Sequence, residues 1–354
     1  MDLTRLGWRT ELVEVFAPFA SGGLIPGRVA IQHRSHYLVY AERGELRGEP
    51  SGKLFYLAGG PADLPVVGDW VALRERPGEN VVTIVEVLPR LSKFSRRAAG
   101  RRAEEQVLAA NVDVVFLVDT LGERLNIRRI ERFLVLAAES GALPVILLNK
   151  DDLVSSAEED AALVHRSARD APVHHLSALY GRGLDTVRSY LAPGVTGALL
   201  GPSGSGKSTL VNALLGEEYL RTLEVREVDE RGRHTTTHRE LVMLPDGGML
   251  IDTPGLRELQ LHGGDEGMLA TFDDIEELAT RCRFRNCRHS GEPGCAIQAA
   301  LEDGSLEPKR LENYQKLQRE IAHQLRKKDK REELLHKEKW KKIISQHRKD
   351  YRKR

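Results

Sequence analysis

The run Val195-Thr-Gly-Ala-Leu-Leu-Gly-Pro-Ser-Gly-Ser-Gly-Lys-Ser-Thr209 decides the fold of this chain. An apolar segment enters the pattern G-x-x-x-x-G-K-[ST], and a second apolar segment, Leu210-Val-Asn-Ala-Leu-Leu215, leaves it. This order predicts a strand, a phosphate-binding loop and a helix. The backbone N–H groups of such a loop point at phosphate oxygens, and the helix N-terminus adds partial positive charge. The run therefore predicts a nucleotide-binding α/β domain.

Two side chains of the loop have separate expected tasks. Lys207 is expected to reach the β- and γ-phosphates, and the Ser208 hydroxyl is expected to coordinate Mg²⁺. The other expected nucleotide contacts in the loop are Gly201, Ser203, Gly204, Ser205, Gly206 and Thr209. The loop alone does not select the base, because the same residues suit a transport-type ATPase. That alternative requires an LSGGQ-like signature, which the sequence lacks.

A motif upstream of the loop selects guanine. The apolar run Pro144-Val-Ile-Leu-Leu148 predicts a buried strand that enters the N-K-x-D motif at Asn149. The Asp152 carboxylate can accept both the N1–H and the N2–H₂ donors of guanine, whereas adenine offers no such pair. Asn149 is expected to brace the loop, and the stem of Lys150 is expected to lie over the purine face. This motif therefore predicts GTP as the ligand.

Two further motifs follow predicted strands. Ser177 and Ala178 begin an S-A-L motif, whose backbone N–H can meet guanine O6. Leu250-Ile-Asp-Thr-Pro-Gly255 ends a strand with D-x-x-G. There Asp252 would hold Mg²⁺ through water, and the Gly255 N–H would sense the γ-phosphate.

The order of the motifs differs from that of Ras-like GTPases, in which the phosphate loop comes first and the guanine-reading motifs come last. Here N-K-x-D and S-A-L precede the loop, and D-x-x-G comes last. Because the termini of a compact domain usually lie close together, a circular permutation can keep the same sheet and site. The order therefore predicts a circularly permuted GTPase domain.

Catalysis is expected to depend on the segment Gly232-Arg-His-Thr-Thr-Thr-His238. One of its threonines would complete the Mg²⁺ shell and touch the γ-phosphate. We expect Thr236 in this role, with Thr235 as an alternative that spacing does not separate. Leu256 stands where Ras-like enzymes carry the glutamine that orients the attacking water. His234 is the local candidate to position that water, and the alternative is that it is a structural histidine. The expected catalytic residues are therefore His234, Lys207 and Thr236.

Length and composition suit a soluble chain of two or three domains, with 354 residues, 41% apolar and 30% charged. No apolar stretch approaches the ~18 residues of a membrane span, and the start lacks a secretory signal, so we expect a cytoplasmic protein without a membrane partner. The net charge is +1, yet residues 307–354 carry 18 Lys and Arg against 8 Asp and Glu. This basic end indicates a polyanionic partner.

Residues 27–90 predict a small antiparallel barrel of OB type that precedes the nucleotide domain. Its five expected strands are 28–32, 36–41, 53–58, 67–74 and 81–88. Cationic and aromatic side chains on these strands suit RNA, or are ordinary outward residues of a barrel. A basic linker is expected at 89–102. Beyond it, alternating patterns predict a doubly wound sheet, with helices near 127–140, 157–169 and 183–191 and strands at 144–149, 172–177 and 196–200.

All three cysteines of the chain fall within fourteen residues, at Cys282, Cys287 and Cys295, with His289 among them. An odd number of cysteines cannot pair fully as disulfides, and three thiolates with one imidazole match a closed structural Zn²⁺ site. The alternative is a set of free thiols. After Glu307, apolar residues recur at helical spacing and are expected to pack on the zinc module. Beyond Arg326 the sequence fits either a solvated tail or an RNA-binding extension.

This combination of an N-terminal barrel, permuted motifs and C-x₄-C-x-H-x₅-C over residues 5–325 resembles the RsgA/YjeQ family of ribosome-small-subunit-dependent GTPases. The resemblance implies a multidomain protein with an OB-type domain over 1–97, a GTPase domain over 98–272 and a zinc domain with a basic helical tail over 273–354. It also implies a GTP hydrolase that acts late in maturation of the small (30S) ribosomal subunit, binds 16S rRNA and is stimulated by that subunit. We expect the protein to be monomeric. A GTP-dependent rRNA-binding scaffold with little intrinsic hydrolysis is the alternative.

Overall fold

The computed structural model describes residues 1–33, 35–97, 105–154, 157–216, 239–252 and 265–326. The chain divides into two compact units, Met1–Gln260 and Leu261–Arg354. The first unit contains a barrel and a nucleotide-binding type of sheet, and the second contains the cysteine cluster. Across the described ranges, no helix combines the length and the apolar character needed to cross a membrane.

The first unit begins with α1 (Thr10–Ser21) and a closed five-stranded barrel. The strands are β1 (Ile25–Gln32), β2 (Tyr37–Ala41), β3 (Gly44–Pro50), β4 (Trp70–Glu75) and β5 (Val81–Val87). They are ordered β1-β2-β3-β5-β4, and pairing of β4 with β1 closes the barrel. Only β3 and β5 pair in parallel. Inward side chains such as Val39, Leu73 and Ile84 are fully buried, which confirms the predicted OB-type barrel.

The third predicted strand of the barrel is wrong. Residues 52–57 form a short helix, α2 (Gly52–Leu57), which begins where the Ser51 hydroxyl accepts a hydrogen bond from Leu54 N at 3.1 Å. The third strand is instead Gly44–Pro50, whose charged and glycine residues gave a weak strand pattern. Gly48 is needed there, because a Cβ at this position would lie 2.8 Å from the Val39 side chain.

A two-stranded antiparallel sheet connects the barrel to the next domain. It consists of β6 (Lys93–Arg97) and β7 (Glu105–Ala110). Part of the basic segment that we expected to be a linker is therefore a strand. Next to the end of β7, the buried guanidinium of Arg28 on β1 donates to the carbonyls of Leu6 and Asn111. These bonds join the barrel to the segment that leads into the nucleotide-binding sheet.

That sheet has the order β10-β9-β8-β11-β13-β12. Its strands are β8 (Val114–Thr120), β9 (Leu143–Asn149), β10 (Val173–Leu176), β11 (Thr196–Leu200), β12 (Glu240–Met243) and β13 (Met249–Asp252). All neighbours pair in parallel except β12 and β13. The strand before the phosphate loop, β11, lies in the middle, although β8, β9 and β10 precede it in the chain. This arrangement confirms the predicted permutation.

Helices connect these strands close to the predicted positions. They are α3 (Ile127–Ser140), α4 (Ala157–Ala168), α5 (Leu184–Ser189) and α6 (Lys207–Leu215). The start of α3 is fixed by Asn126, whose side chain accepts from Arg129 N at 3.1 Å, and its end by Gly141, which adopts a positive φ of 83°. One residue pair, Ile31 with Glu240, joins β12 to β1, so the barrel and this sheet are continuous.

The second unit is helical where it is described. It contains α7 (Asp265–Thr271), α8 (Asp273–Thr280), α9 (Ala296–Glu302) and α10, which runs from 308 to 326. Four residues of the predicted apolar face of α10 are buried, Leu311, Tyr314, Leu317 and Ile321, whereas the fifth, Leu325, is 39% exposed near the end of the helix. Arg310 holds α10 against α8 through two hydrogen bonds to Asp274, at 2.8 and 2.9 Å. Helix α8 ends directly before the first cysteine of the cluster.

Candidate nucleotide-binding site and cysteine cluster

The candidate nucleotide site lies at the carboxyl edge of the sheet, where parallel strands bring their following loops together. The phosphate loop, residues 201–206, leaves β11 and passes directly over β8. A Cβ on Gly201 would lie only 2.2 Å from the Val118 carbonyl oxygen. A side chain at position 201 would therefore push the loop away from the sheet.

One buried side chain, that of Asn149, connects three loops at this edge. Its amide Nδ2 donates to the Ser205 carbonyl in the phosphate loop at 2.8 Å. Its Oδ1 accepts from Lys150 N at 2.8 Å and from Ala178 N at 3.0 Å. Asn149 is only 2% exposed. The Asn149 side chain thus links the N-K-x-D, S-A-L and phosphate-loop segments to one another.

The close approach of these loops explains a second glycine of the pattern. Gly206 adopts a positive φ of 91°, and a Cβ there would lie 2.2 Å from Asn149 Nδ2. Only glycine fits both the conformation and the space. Lys150 adds a further contact, because its Nζ donates to the Gly204 carbonyl at 2.7 Å. Lys150 therefore lies along the phosphate loop with its ammonium fixed.

The side chains of the loop divide into a buried and an exposed group. Ser205 is buried, and its hydroxyl donates to the Pro202 carbonyl at 3.1 Å. Its side chain therefore stabilises the loop itself. Lys207 donates from Nζ to the carbonyls of Gly201 and Pro202, at 2.8 and 2.6 Å. Ser203, Ser208 and Thr209 are exposed at the mouth of the loop and the first turn of α6.

The two carboxylates that end the N-K-x-D motif differ in their environment. Asp151 pairs with Arg182, with 2.7 Å between Oδ1 and Nη2. Asp152 is half-buried, and within the described ranges it has neither a hydrogen-bond nor an ion-pair partner. Asp152 therefore keeps both carboxylate oxygens available for a ligand, as recognition of two guanine donors requires.

The S-A-L segment is already bonded to its neighbours. The Ala178 N–H points at Asn149, and Ser177 exchanges two backbone hydrogen bonds with Arg182, at 3.2 and 3.1 Å. A guanine O6 that uses the Ala178 N–H would have to share it with the Asn149 oxygen. The next residue, Leu179, is 71% exposed beside this position.

Several expected site residues lie outside the described residues. These are His234, Thr235 and Thr236, together with Gly255 and Leu256. Asp252 is described only as the last residue of β13. Their roles in Mg²⁺ binding and hydrolysis therefore remain predictions from the sequence.

The structure adds a buried ion pair that the sequence did not reveal. Asp119, at the end of β8, receives two hydrogen bonds from Arg129 of α3, Nη2 to Oδ1 at 2.7 Å and Nε to Oδ2 at 3.0 Å. The Asp119 side chain is 2% exposed. A polar residue at the end of an apolar strand was a signal for Asp119, but nothing in the spacing identified its partner. The pair anchors the segment 121–126, which lies beside the phosphate loop.

The cysteine cluster in the second unit fits a tetrahedral metal site. Its four ligand atoms, from Cys282, Cys287, His289 and Cys295, all lie within 4.8 Å of one another. His289 Nδ1 lies 3.6 Å from the Cys282 sulfur and 3.5 Å from that of Cys295. With Zn–S bonds of about 2.3 Å, ligand atoms of a tetrahedron are roughly 3.7 Å apart, so the cluster fits zinc.

Hydrogen bonds around the cluster fix its loop. The Glu292 carboxylate accepts from Arg288 N at 2.8 Å and from Ser290 N at 2.7 Å, on both sides of His289. Gln298 donates to the His289 carbonyl at 2.6 Å. These bonds hold the loop backbone on both sides of His289, whose Nδ1 faces the sulfurs of Cys282 and Cys295.

Comparisons with known proteins agree with this architecture. The family model described as RsgA GTPase matches residues 87–262. A second model, described as 50S ribosome-binding GTPase, matches residues 196–337, which begin at β11. The chain is 48% identical to the small ribosomal subunit biogenesis GTPase RsgA of Opitutus terrae, over 97% of this chain and 96% of that protein. It is 43% identical to the protein of that name from Methanosarcina acetivorans, over 91% and 86%.

Two solved structures share the fold. The crystal structure of YjeQ from Thermotoga maritima superposes with a TM-score of 0.64 at 27% identity, over 84% of this chain and 99% of that one. The structure of YloQ, a circularly permuted GTPase, gives a TM-score of 0.62 at 25% identity, over 85% and 96%.

Proposed function

The chain belongs to the RsgA GTPase family, and from this premise we propose that it binds the small ribosomal subunit and hydrolyses GTP during late maturation of that particle. The observation that carries the proposal is the Asn149 side chain, which joins the two base-recognition segments to the phosphate loop. Relatives at 42–48% identity carry the name small ribosomal subunit biogenesis GTPase. That name supports the partner.

Guanine recognition is assigned to the N-K-x-D and S-A-L loops. The Asp152 carboxylate, which has no partner among the described residues, would accept from guanine N1–H and N2–H₂, with the Lys150 stem over one purine face. Ser177 and Ala178 would approach guanine O6. An adenine ring would leave the half-buried carboxylate without donors, and this loss disfavours ATP.

Phosphate and Mg²⁺ binding are assigned to the loop after β11 and to the two segments that follow. Lys207 would transfer its hydrogen bonds from loop carbonyls to the β- and γ-phosphates, and Ser208 would coordinate Mg²⁺. Backbone N–H groups of residues 201–209 would surround the phosphate oxygens. Thr236 and Asp252 would complete the metal shell, and Gly255 would sense the γ-phosphate.

Hydrolysis needs a group that positions water, because the leucine at position 256 cannot donate or accept a hydrogen bond through its side chain. We assign this task to His234. The same leucine is what favours the second candidate, a GTP-dependent rRNA-binding scaffold with low intrinsic turnover. In either case, the small subunit would stimulate hydrolysis by helping to position the attacking water, which the side chain of Leu256 cannot do.

Zinc is assigned a structural role in the second unit. With four ligands the site is closed, so no position remains for substrate or water. When bound, the ion would cross-link the loop between α8 and α9 and stabilise the helices around it. We retain the three domains 1–97, 98–272 and 273–354 as the proposed functional division of the chain.

The proposed partner is the small subunit with its 16S rRNA, bound by a monomer through the barrel and the basic C-terminal end. The 18 Lys and Arg residues of 307–354 support a polyanionic partner. A cytoplasmic location follows from that partner. The role of the basic residues after 326 is proposed from charge alone.

Binding of small subunits in defined nucleotide states tests this proposal. The full chain is sedimented with purified small subunits in the presence of a non-hydrolysable GTP analogue, GDP or no nucleotide, at matched salt. We expect tight binding with the analogue and weak binding with GDP, because loss of the γ-phosphate releases both switch segments. Absence of binding in every state would contradict the proposed partner, and equal affinities with analogue and GDP would favour the scaffold.

A further inference from the structure

The segment between β8 and α3, residues 121–126, is braced against the rest of the sheet on two sides. On one side, Arg129 is held by the buried Asp119 and donates from Nη2 to the carbonyl of Arg124 at 2.9 Å. On the other side, the Gly122 N–H donates to the Asp160 carboxylate of α4 at 2.7 Å. The backbone that carries Arg124 is therefore fixed.

The guanidinium of Arg124 projects from this fixed backbone to the phosphate loop. Its Nη1 lies 3.9 Å from the position that a Cβ on Gly204 would occupy. The carbonyl of the same glycine accepts from Lys150 Nζ at 2.7 Å. Two cations therefore flank Gly204, at a point where the loop has no side chain to cover its backbone.

Among the described residues, two other arginines of this edge have carboxylate partners, whereas Arg124 has none. Arg129 pairs with Asp119, and Arg182 pairs with Asp151. Arg124 is exposed, and among the described residues its guanidinium has no hydrogen-bond or ion-pair partner. A long cationic side chain that lies near a phosphate loop, without a counter-ion among the described residues, suits an anionic ligand, since guanidinium donors match the oxygens of phosphate.

We propose that Arg124 is a phosphate ligand of bound GTP. Its guanidinium approaches the nucleotide from the Gly204 side of the loop, so the chain itself supplies this cation. This inference rests on the proposed GTP site. The positive charge of the Arg124 guanidinium stabilises the phosphate oxygens, where negative charge is redistributed during γ-phosphoryl transfer. The Asp119–Arg129 pair is the positioning element, because it holds the carbonyl of Arg124 and hence the origin of its side chain.

The test compares Arg124→Ala and Arg124→Lys with a matched control, Arg166→Ala. Arg166 is exposed near the end of α4, which precedes β10, so it lies at the opposite edge of the sheet from the site. Equilibrium affinities of the full chain for GTP, GDP and guanosine are measured by competition, together with GTP turnover. Guanosine reports base recognition without phosphate.

We expect Arg124→Ala to weaken GTP binding by about tenfold or more, the loss typical of a charge-assisted hydrogen bond, and to reduce turnover. Arg124→Lys should recover part of the loss, and guanosine affinity should not change. The inference is overturned if Arg124→Ala binds GTP within about twofold of Arg166→Ala, or if it loses guanosine and GTP affinity equally. Failure of the unmodified chain to bind GTP would instead contradict the proposed function, and this inference with it.

Discussion

The Nδ2 amide of Asn149 lies 2.8 Å from the carbonyl oxygen of Ser205, 56 residues further along the chain. This bond places the end of β9 against the loop that follows β11, so the base-recognition and phosphate-binding segments form one site. The parallel pairing of β9 with β8 and of β8 with β11 brings these two strand ends to one edge of the sheet. The Asn149 side chain then bonds the two loops to each other directly.

Replacement of Asn149 by alanine should destabilise the protein and impair nucleotide binding together. The change leaves the Ser205 carbonyl and the Ala178 N–H buried without their partner, and each such group costs about 1–3 kcal/mol. We expect the free energy of unfolding to fall by about 2–4 kcal/mol in denaturant titrations. The exposed Asn212→Ala on α6 is the control and should change it by less than about 0.5 kcal/mol. Equal stability of the two variants would show that Asn149 does not brace the site.

Replacement of Asp152 by asparagine should change the base preference. An amide cannot accept two donors from guanine, but it matches the 2-oxo group of xanthine, so GTP affinity should fall and xanthosine triphosphate should compete. Asp151→Asn is the matched control. Because Asp151 is already paired with Arg182, this variant should leave base preference unchanged. Competition assays with GTP, ATP and xanthosine triphosphate measure both. Equal affinity of the unmodified chain for ATP and GTP would contradict the assignment.

Replacement of Gly206 by alanine should abolish nucleotide binding. The new Cβ would lie 2.2 Å from Asn149 Nδ2 and would also be strained at a φ of 91°. Gly216→Ala provides the control, since Gly216 has a similar φ of 78° but no atom within 4 Å of a Cβ. Nucleotide titration should show loss of binding in the first variant and retention in the second. Retained binding in Gly206→Ala would mean that the loops do not need this close approach.

Zinc should be bound in one equivalent per chain and should stabilise the second unit without affecting nucleotide binding. Metal analysis is expected to find one zinc in the purified protein and less in Cys282→Ser, since three remaining ligands hold the ion less tightly. Chelation should expose three titratable thiols and reduce helix content, while GTP affinity stays the same. A metal-free protein with three freely reacting thiols and an intact second unit would refute the site.

The sequence predicted the features whose chemistry is local. The phosphate loop, N-K-x-D and the cysteine cluster each carry their residues within a short span. As expected, the structure joins the first two through the Asn149–Ser205 hydrogen bond, and within the second unit it places the four ligand atoms of the cluster within 4.8 Å of one another. The third barrel strand was not predictable in this way. Lys53-Leu-Phe-Tyr-Leu57 has residues typical of a strand, yet the Ser51 cap favours a helix there. The observed third strand, β3, contains Gly48, and packing against Val39 explains the glycine at this position.

The pairing of Asp119 with Arg129 was also beyond the sequence, for a different reason. Both residues were visible, but their ten-residue separation follows neither helix nor strand periodicity, and the bond exists only because α3 returns over β8. The same holds for Arg124, whose position depends on that bond. Tertiary contacts between loops, rather than local patterns, determine which of the many arginines reach the site.

GTP turnover is the most direct test of whether this chain is a GTPase whose activity is directed to the small ribosomal subunit. GTP hydrolysis by the full chain is measured alone, with increasing small subunits, and with large subunits at the same concentrations. We expect slow turnover alone, a saturable increase with small subunits, and little change with large subunits. No hydrolysis above background with small subunits, or equal stimulation by large ones, would contradict it.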